Sequence, residues 1–148
     1  MAFHFPLQAI LRLRRGLERM ERLKLEAIAS ELARAKRELE IMTEQFIDSR
    51  RKFQKRLVQE MYASELIFED ARADRVAAAQ RGLKIRIAEL EQMRLKQVQI
   101  YMKAQQSREV LESLHDKKFE IYRKEMIRLE QQGLDDLFVM RKSLLRDE

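Results

Sequence analysis

The sequence contains no cysteine and no tryptophan, one proline and three glycines in 148 residues. Without cysteine there is no disulfide framework, no thiol nucleophile and no thiolate metal site, which fits a reducing compartment. So little Gly and Pro excludes an all-β or α/β fold, whose corners need them. Uncharged runs fall far short of the roughly 20 residues that cross a bilayer. The opening MAFHFPLQAILRLRR lacks the basic n-region and cleavage site of a signal peptide. A soluble, cytoplasmic chain is expected.

What is abundant is charge and helix-forming residues. Charged residues make up 38% of the chain and the net charge is +6, a balance that suits a thin seam between helices better than a thick interior. The excess is concentrated early, at Arg12, Arg14, Arg15, Arg19 and Arg22 and again at Arg50, Arg51, Lys52, Lys55 and Arg56. Such patches attract acidic partners, nucleic acid or anionic lipid, and equally serve as a solvated helix face.

Hydrophobic periodicity supplies the architecture. Leu25, Leu32, Leu39, Phe46 and Phe53 recur every seven residues, with Ile28, Ala35, Met42 and Ser49 three places later. Alternating steps of three and four form the seam of a coiled coil. Before Leu25 the apolar positions are Ile10, Leu13, Leu17 and Met20, which reads as a shift of register; after Phe53 a stutter leads to Leu57 and Met61. A second seam pairs the row Leu83, Leu90, Gln97, Ala104, Leu111 with the row Met93, Ile100, Ser107, Leu114, Ile121.

The expected fold is all-α: a long two-helix antiparallel coiled-coil hairpin with unequal arms, forming a single domain over residues 1–148. Pro6 suits a first helical turn, so helix one is expected over about 6–62. A turn follows at about 62–64, with Ser64 as cap and Glu65 favouring the helix N-terminus, and helix two runs over about 65–145. Residue i then faces approximately residue 126 − i, placing Leu7 opposite Phe119. Residues beyond about 120 overhang, with Leu134, Leu137, Phe138 and Met140 unpartnered; Gly133 is a candidate bend. One unbroken helix in a parallel dimer is the competing arrangement.

Catalytic chemistry finds no foothold. The glycines are isolated, so no phosphate-cradling loop exists. Glu112-Ser-Leu-His115 has the Glu-x-x-His spacing of di-iron bundles, but such sites need two copies and two further glutamates, and the sequence has one. Arg34–Glu38, Lys36–Glu40 and Glu120–Lys124 read as helical ion pairs worth about 0.2–0.5 kcal/mol each. No enzyme, cofactor or metal is expected.

The two ends suggest more. Phe3, Phe5, Leu7, Gln8, Ile10, Leu11, Leu13 and Arg14 form an F-x-F-x-L-Q-x-I-L-x-L-R opening, and Tyr122-Arg-Lys-Glu125, Leu134-Asp-Asp-Leu137 and Met140-Arg141 mark the ending. Together these resemble the FliJ family of the flagellar type III export apparatus. The resemblance implies a non-catalytic, peripheral protein that serves as central stalk of the hexameric export ATPase. It also implies contact with the cytoplasmic domain of the export gate and escort of export chaperones. The implied ring-binding residues are Phe3, Phe5, Leu7, Leu11, Leu134, Leu137, Phe138 and Met140. The implied gate-binding residues are Leu66, Ile67, Phe68 and Val76, although seam packing accounts for Leu66 and Val76 equally well. The chain is expected to be monomeric alone, to bind no specific nucleic acid, and to reach the inner membrane through its partners. Other readings are a generic tethering coiled coil, the stalk of a virulence secretion system, or a nucleic-acid-binding rod using the Arg50–Arg56 cluster.

Overall fold

A computed structural model describes residues 2–59 and 61–146. Two helices account for nearly all of them: α1, Gln8–Leu57, and α2, Ala63–Leu144, with no strand among the described residues. They pack against each other as an all-α hairpin whose arms hold 50 and 82 residues.

Local chemistry explains where each helix begins and ends. The Gln8 N–H bonds to the Phe5 carbonyl at 3.1 Å, so Pro6 occupies the first turn, where its missing N–H costs nothing. Lys55 and Arg56 lie in the last turn of α1, favourably placed at the negative end of its dipole. At the start of α2 the Glu65 N–H bonds to the Tyr62 carbonyl at 3.0 Å. Ala63 and Ser64 are therefore already helical, and Ser64 does not cap. The connection precedes the expected 62–64, and α1 ends at Leu57 rather than about 62; Glu60, within the expected helix, lies outside the described residues.

Cross-helix partners fall on or within a few residues of the expected register: Glu18 meets Arg108 as expected, while other pairs are displaced. Ser49 accepts a bond from Arg72, and Gln80 donates to Thr43 Oγ1 at 3.3 Å. Phe119 meets the ring of Phe3, four residues, or about one helical turn, from the Leu7 expected opposite it. Gly82 and Gly133 interrupt nothing, since α2 runs through both without a positive φ.

The chain divides into two compact units. One is Arg19–Met102; the other joins the described residues up to Glu18 with those from Lys103 onward. In the Arg19–Met102 unit the core is Leu32 and Ala35 of α1 against Leu90 of α2, flanked by Ile87. Leu25, Ile28, Leu39, Met42, Phe46 and Phe53 continue this face as half-buried residues, so the α1 heptads fall where their spacing puts them. Gln97 is buried on the same seam, and its amide donates to the Glu21 carbonyl at 3.1 Å and to the Glu21 carboxylate.

The second α2 row has a different phase from the expected one. Ile87 and Tyr101 turn inward, four places from Leu83 and Gln97, whereas Met93 and Ile100 are exposed. In the other unit Arg108, His115 and Tyr122 take the same phase, while Leu114 and Ile121 are exposed. On α1 there is no register shift before Leu25. Leu11, Glu18 and Glu21 face inward on the original seven-residue repeat, and Ile10, Leu13, Leu17 and Met20 are exposed. The cause is complementary polarity. Glu18 meets Arg108 and Glu21 meets Gln97, so charged and amide groups satisfy one another where apolar pairs were expected.

Candidate functional site

The unit formed by the described residues up to Glu18 and from Lys103 onward holds a cluster of aromatic rings. Phe5 and Leu11 are buried. Phe3 stands edge-on to His115, with centroids 5.4 Å apart, and to Phe119 at 5.2 Å, and it tilts against Tyr122 at 5.4 Å. Phe5 packs edge-on to His115 at 5.1 Å, with the Lys118 ammonium over its ring. These geometries are the favoured ones for aromatic pairs. They seat the segment before Pro6 on α2, so Phe3, Phe5 and Leu11 are partnered within the chain.

Beside this cluster lies a chain of ion pairs. Arg15 donates to Glu112 at 2.9 Å; Arg108 donates to Glu112 and, through Nε, to Glu18. Hydrogen bonds from Arg108 and then from Arg15 hold the Glu112 carboxyl below the usual carboxylate range. The Arg108 guanidinium is correspondingly raised, chiefly by its bonds to Glu18 and Glu112. Glu112 is thereby committed to arginines, although its spacing to His115 matches a metal-binding pair; His115 contacts Asp116 and the phenylalanines. The expected ion pairs along the helices are replaced in part by pairs between them: Lys36 reaches Glu91 at 3.3 Å instead of Glu40.

Beyond Met126 every described residue of this unit is exposed. The seam spacing does not stop there: Met126, Leu129, Gly133, Leu137, Met140 and Leu144 continue its steps of three and four. Leu134, Phe138, Val139 and Leu145 add to this surface, all exposed. From residue 127 to Leu144 the uncovered helix is roughly 27 Å long at 1.5 Å per residue. A seam face prolonged past its partner helix leaves a stripe of exposed apolar side chains, the kind of surface that often marks interaction sites.

The hairpin tip, in the Arg19–Met102 unit, is the second apolar concentration. Leu66, Ile67 and Phe68 are exposed, as are Val58 and Tyr62 in the connection, whereas Val76 is half-buried along the seam. A pocket of about 410 Å³ opens here between the helices, lined by Phe53, Phe68, Lys52, Arg56 and Glu69 among others. Glu69 pairs with Arg72 at 2.7 Å and Glu65 with Arg56 at 3.7 Å. Val58 and Tyr62 stand outside any helical period, so spacing arguments gave no reason to single them out. Among the described residues no helix is long and apolar enough to cross a membrane.

The family model for the flagellar FliJ protein matches residues 3–146, nearly the whole chain. The chain belongs to the FliJ family. No curated protein and no solved structure matches it. Membership makes this FliJ protein a component of the flagellar export apparatus, in a family whose role there is non-catalytic. The match spans both the aromatic cluster and the uncovered end of α2. Of the residues tied to ring binding by resemblance, Leu134, Leu137, Phe138 and Met140 are free for a partner, Phe3 and Leu7 are half-buried, and Phe5 and Leu11 are interior.

Proposed function

We propose that this FliJ protein is the central stalk of the hexameric flagellar export ATPase, promoting ring assembly and hydrolysis. The observation that supports this most is the prolonged seam of α2, whose apolar residues have no α1 segment to cover them. A helix of this kind enters an apolar channel by burying Leu134, Leu137, Phe138 and Met140, each worth about 1.5–3 kcal/mol when fully covered. Phe3 and Leu7 border the docked surface. Phe5 and Leu11 act from beneath, holding the first residues of the chain on α2.

The gate-facing surface in this reading is Leu66, Ile67 and Phe68, with Val76 supporting it from the seam. Their exposure at the end of the hairpin remote in sequence from both termini favours a partner different from the ring. Escort of export chaperones, monomeric behaviour in isolation, and residence in the cytoplasm at the flagellar base complete the proposal and rest on family membership.

The test is addition of the purified chain to the cognate export ATPase, following hydrolysis and hexamer formation together. Stimulation with hexamers appearing supports the stalk role. A well-folded chain that changes neither contradicts it.

A further inference from the structure

Residues 50–62, the end of α1 and the connection, hold five basic side chains, Arg50, Arg51, Lys52, Lys55 and Arg56, against one acidic residue, Glu60. Arg56 is engaged by Glu65, and Arg50 lies over the Phe46 ring. Among the described residues Arg51, Lys52 and Lys55 take part in no ion pair, and all three are exposed. Immediately after them come Val58, 90% exposed, and Tyr62, 79% exposed. On the α2 side the two nearest carboxylates, Glu65 and Glu69, are neutralised by Arg56 and Arg72, leaving Asp70 as the remaining acid of that turn.

We infer that the hairpin tip binds directly to an anionic lipid bilayer. Unpaired lysine and arginine beside protruding aliphatic and phenolic side chains is the arrangement that an interfacial contact requires. The cations meet lipid phosphates, Val58 enters the acyl boundary, and the Tyr62 ring lies at headgroup level with its hydroxyl in water. The long basic side chains keep their charge at the surface while their stems add apolar contact. Duplex nucleic acid would use the same charges, but it offers nothing to Val58 and leaves the apolar tip in water, so the bilayer is the better complement. The inference is independent of the ring and gate assignments, because it requires only the connection and the last turns of α1.

The test uses the full chain with vesicles of phosphatidylglycerol and phosphatidylethanolamine, against vesicles of phosphatidylcholine alone. Binding is expected only to the anionic vesicles and to weaken with salt. Each cation near the surface contributes about fivefold in affinity, so combining Arg51→Glu, Lys52→Glu and Lys55→Glu, which removes three cations and adds three repelled anions, should reduce binding at least about a hundredfold. The same number of reversals at the exposed Arg12, Arg14 and Arg19 should change it by less than about threefold. Equal losses in both variants would mean that net charge alone acts, and would overturn the inference. Because the chain has no tryptophan, Val58→Trp reports the tip without altering its charge. Its emission should shift to the blue on anionic vesicles and be quenched by brominated acyl chains; an unshifted emission overturns the inference. Duplex DNA that displaces the chain from vesicles at an equal or lower phosphate concentration would assign the cluster to nucleic acid instead.

Discussion

The rings of Phe3 and Phe119 meet edge to face, with centroids 5.2 Å apart and planes 82° to one another. This contact and that of Phe5 with His115 hold the residues before α1 against α2. Phe5→Ala should therefore loosen one end of the molecule and spare the remainder. Hydrogen exchange at residues 8–18 should accelerate by at least about tenfold, with residues 25–50 unchanged. Uniform acceleration along α1 would show that the aromatic cluster supports global stability instead.

The phase of the second seam can be tested by two substitutions three residues apart. Leu90 has no exposed surface and packs on Leu32 and Ala35. Leu90→Ala should cost about 2–5 kcal/mol by loss of contact and creation of a cavity. Met93 is 46% exposed, and Met93→Ala should lie within about 0.5 kcal/mol of the parent. Chemical denaturation of both variants decides the matter; similar losses would place Met93 in the seam.

The Glu112 carboxyl, lowered by Arg108 and Arg15, makes stability depend on pH in one direction. A depressed carboxylate contributes fully above its unfolded value, near 4.5. That contribution disappears as pH falls through the lower folded value. Arg108→Gln removes the largest cause of the depression, so its urea midpoint should fall below the parent's at about pH 7 and approach it at about pH 2.5. A constant difference at both pH values would mean that Arg108 acts through packing alone.

Much of the architecture is legible in the sequence, and what is not has a common cause. The row from Leu25 to Phe53 is strongly apolar and that from Leu83 to Leu111 is apolar but for Gln97, and helices with such repeats bury them, so all-α pairing follows. The seam was lost where polar residues line it. Glu18 and Glu21 look like surface residues until Arg108 and Gln97 are seen opposite, and no single-helix pattern reveals a partner on another helix. Read from α1 alone, Ile10, Leu13, Leu17 and Met20 suggest a shift of register, but all four are exposed. Arg108 is likewise obscured, because Leu114 and Ile121 are apolar yet exposed, whereas His115 beside the seam and Tyr122 on its later register are legible and half-buried. Ser64 is a good cap by composition, but α2 begins one residue before it, so the connection falls earlier than capping suggests.

The candidate surfaces divide the same way. Leu134, Leu137, Phe138 and Met140 are legible because they are apolar residues beyond the reach of the partner helix. Phe5 and Leu11 belong to the same sequence signature but are interior, since a motif records which residues occur together and not which of them face outward. Val58 and Tyr62 lie in a connection with no period, so only their exposure beside unpaired cations singles them out.

The stalk role is tested most directly by comparing the full chain with one ending before residue 134 in stimulation of the export ATPase. The truncated chain should keep its far-UV helicity per residue, because the described residues of the removed segment are all exposed, yet lose stimulation and ring assembly. Undiminished stimulation by the truncated, folded chain would contradict the assignment of the prolonged seam as the surface that docks in the ring.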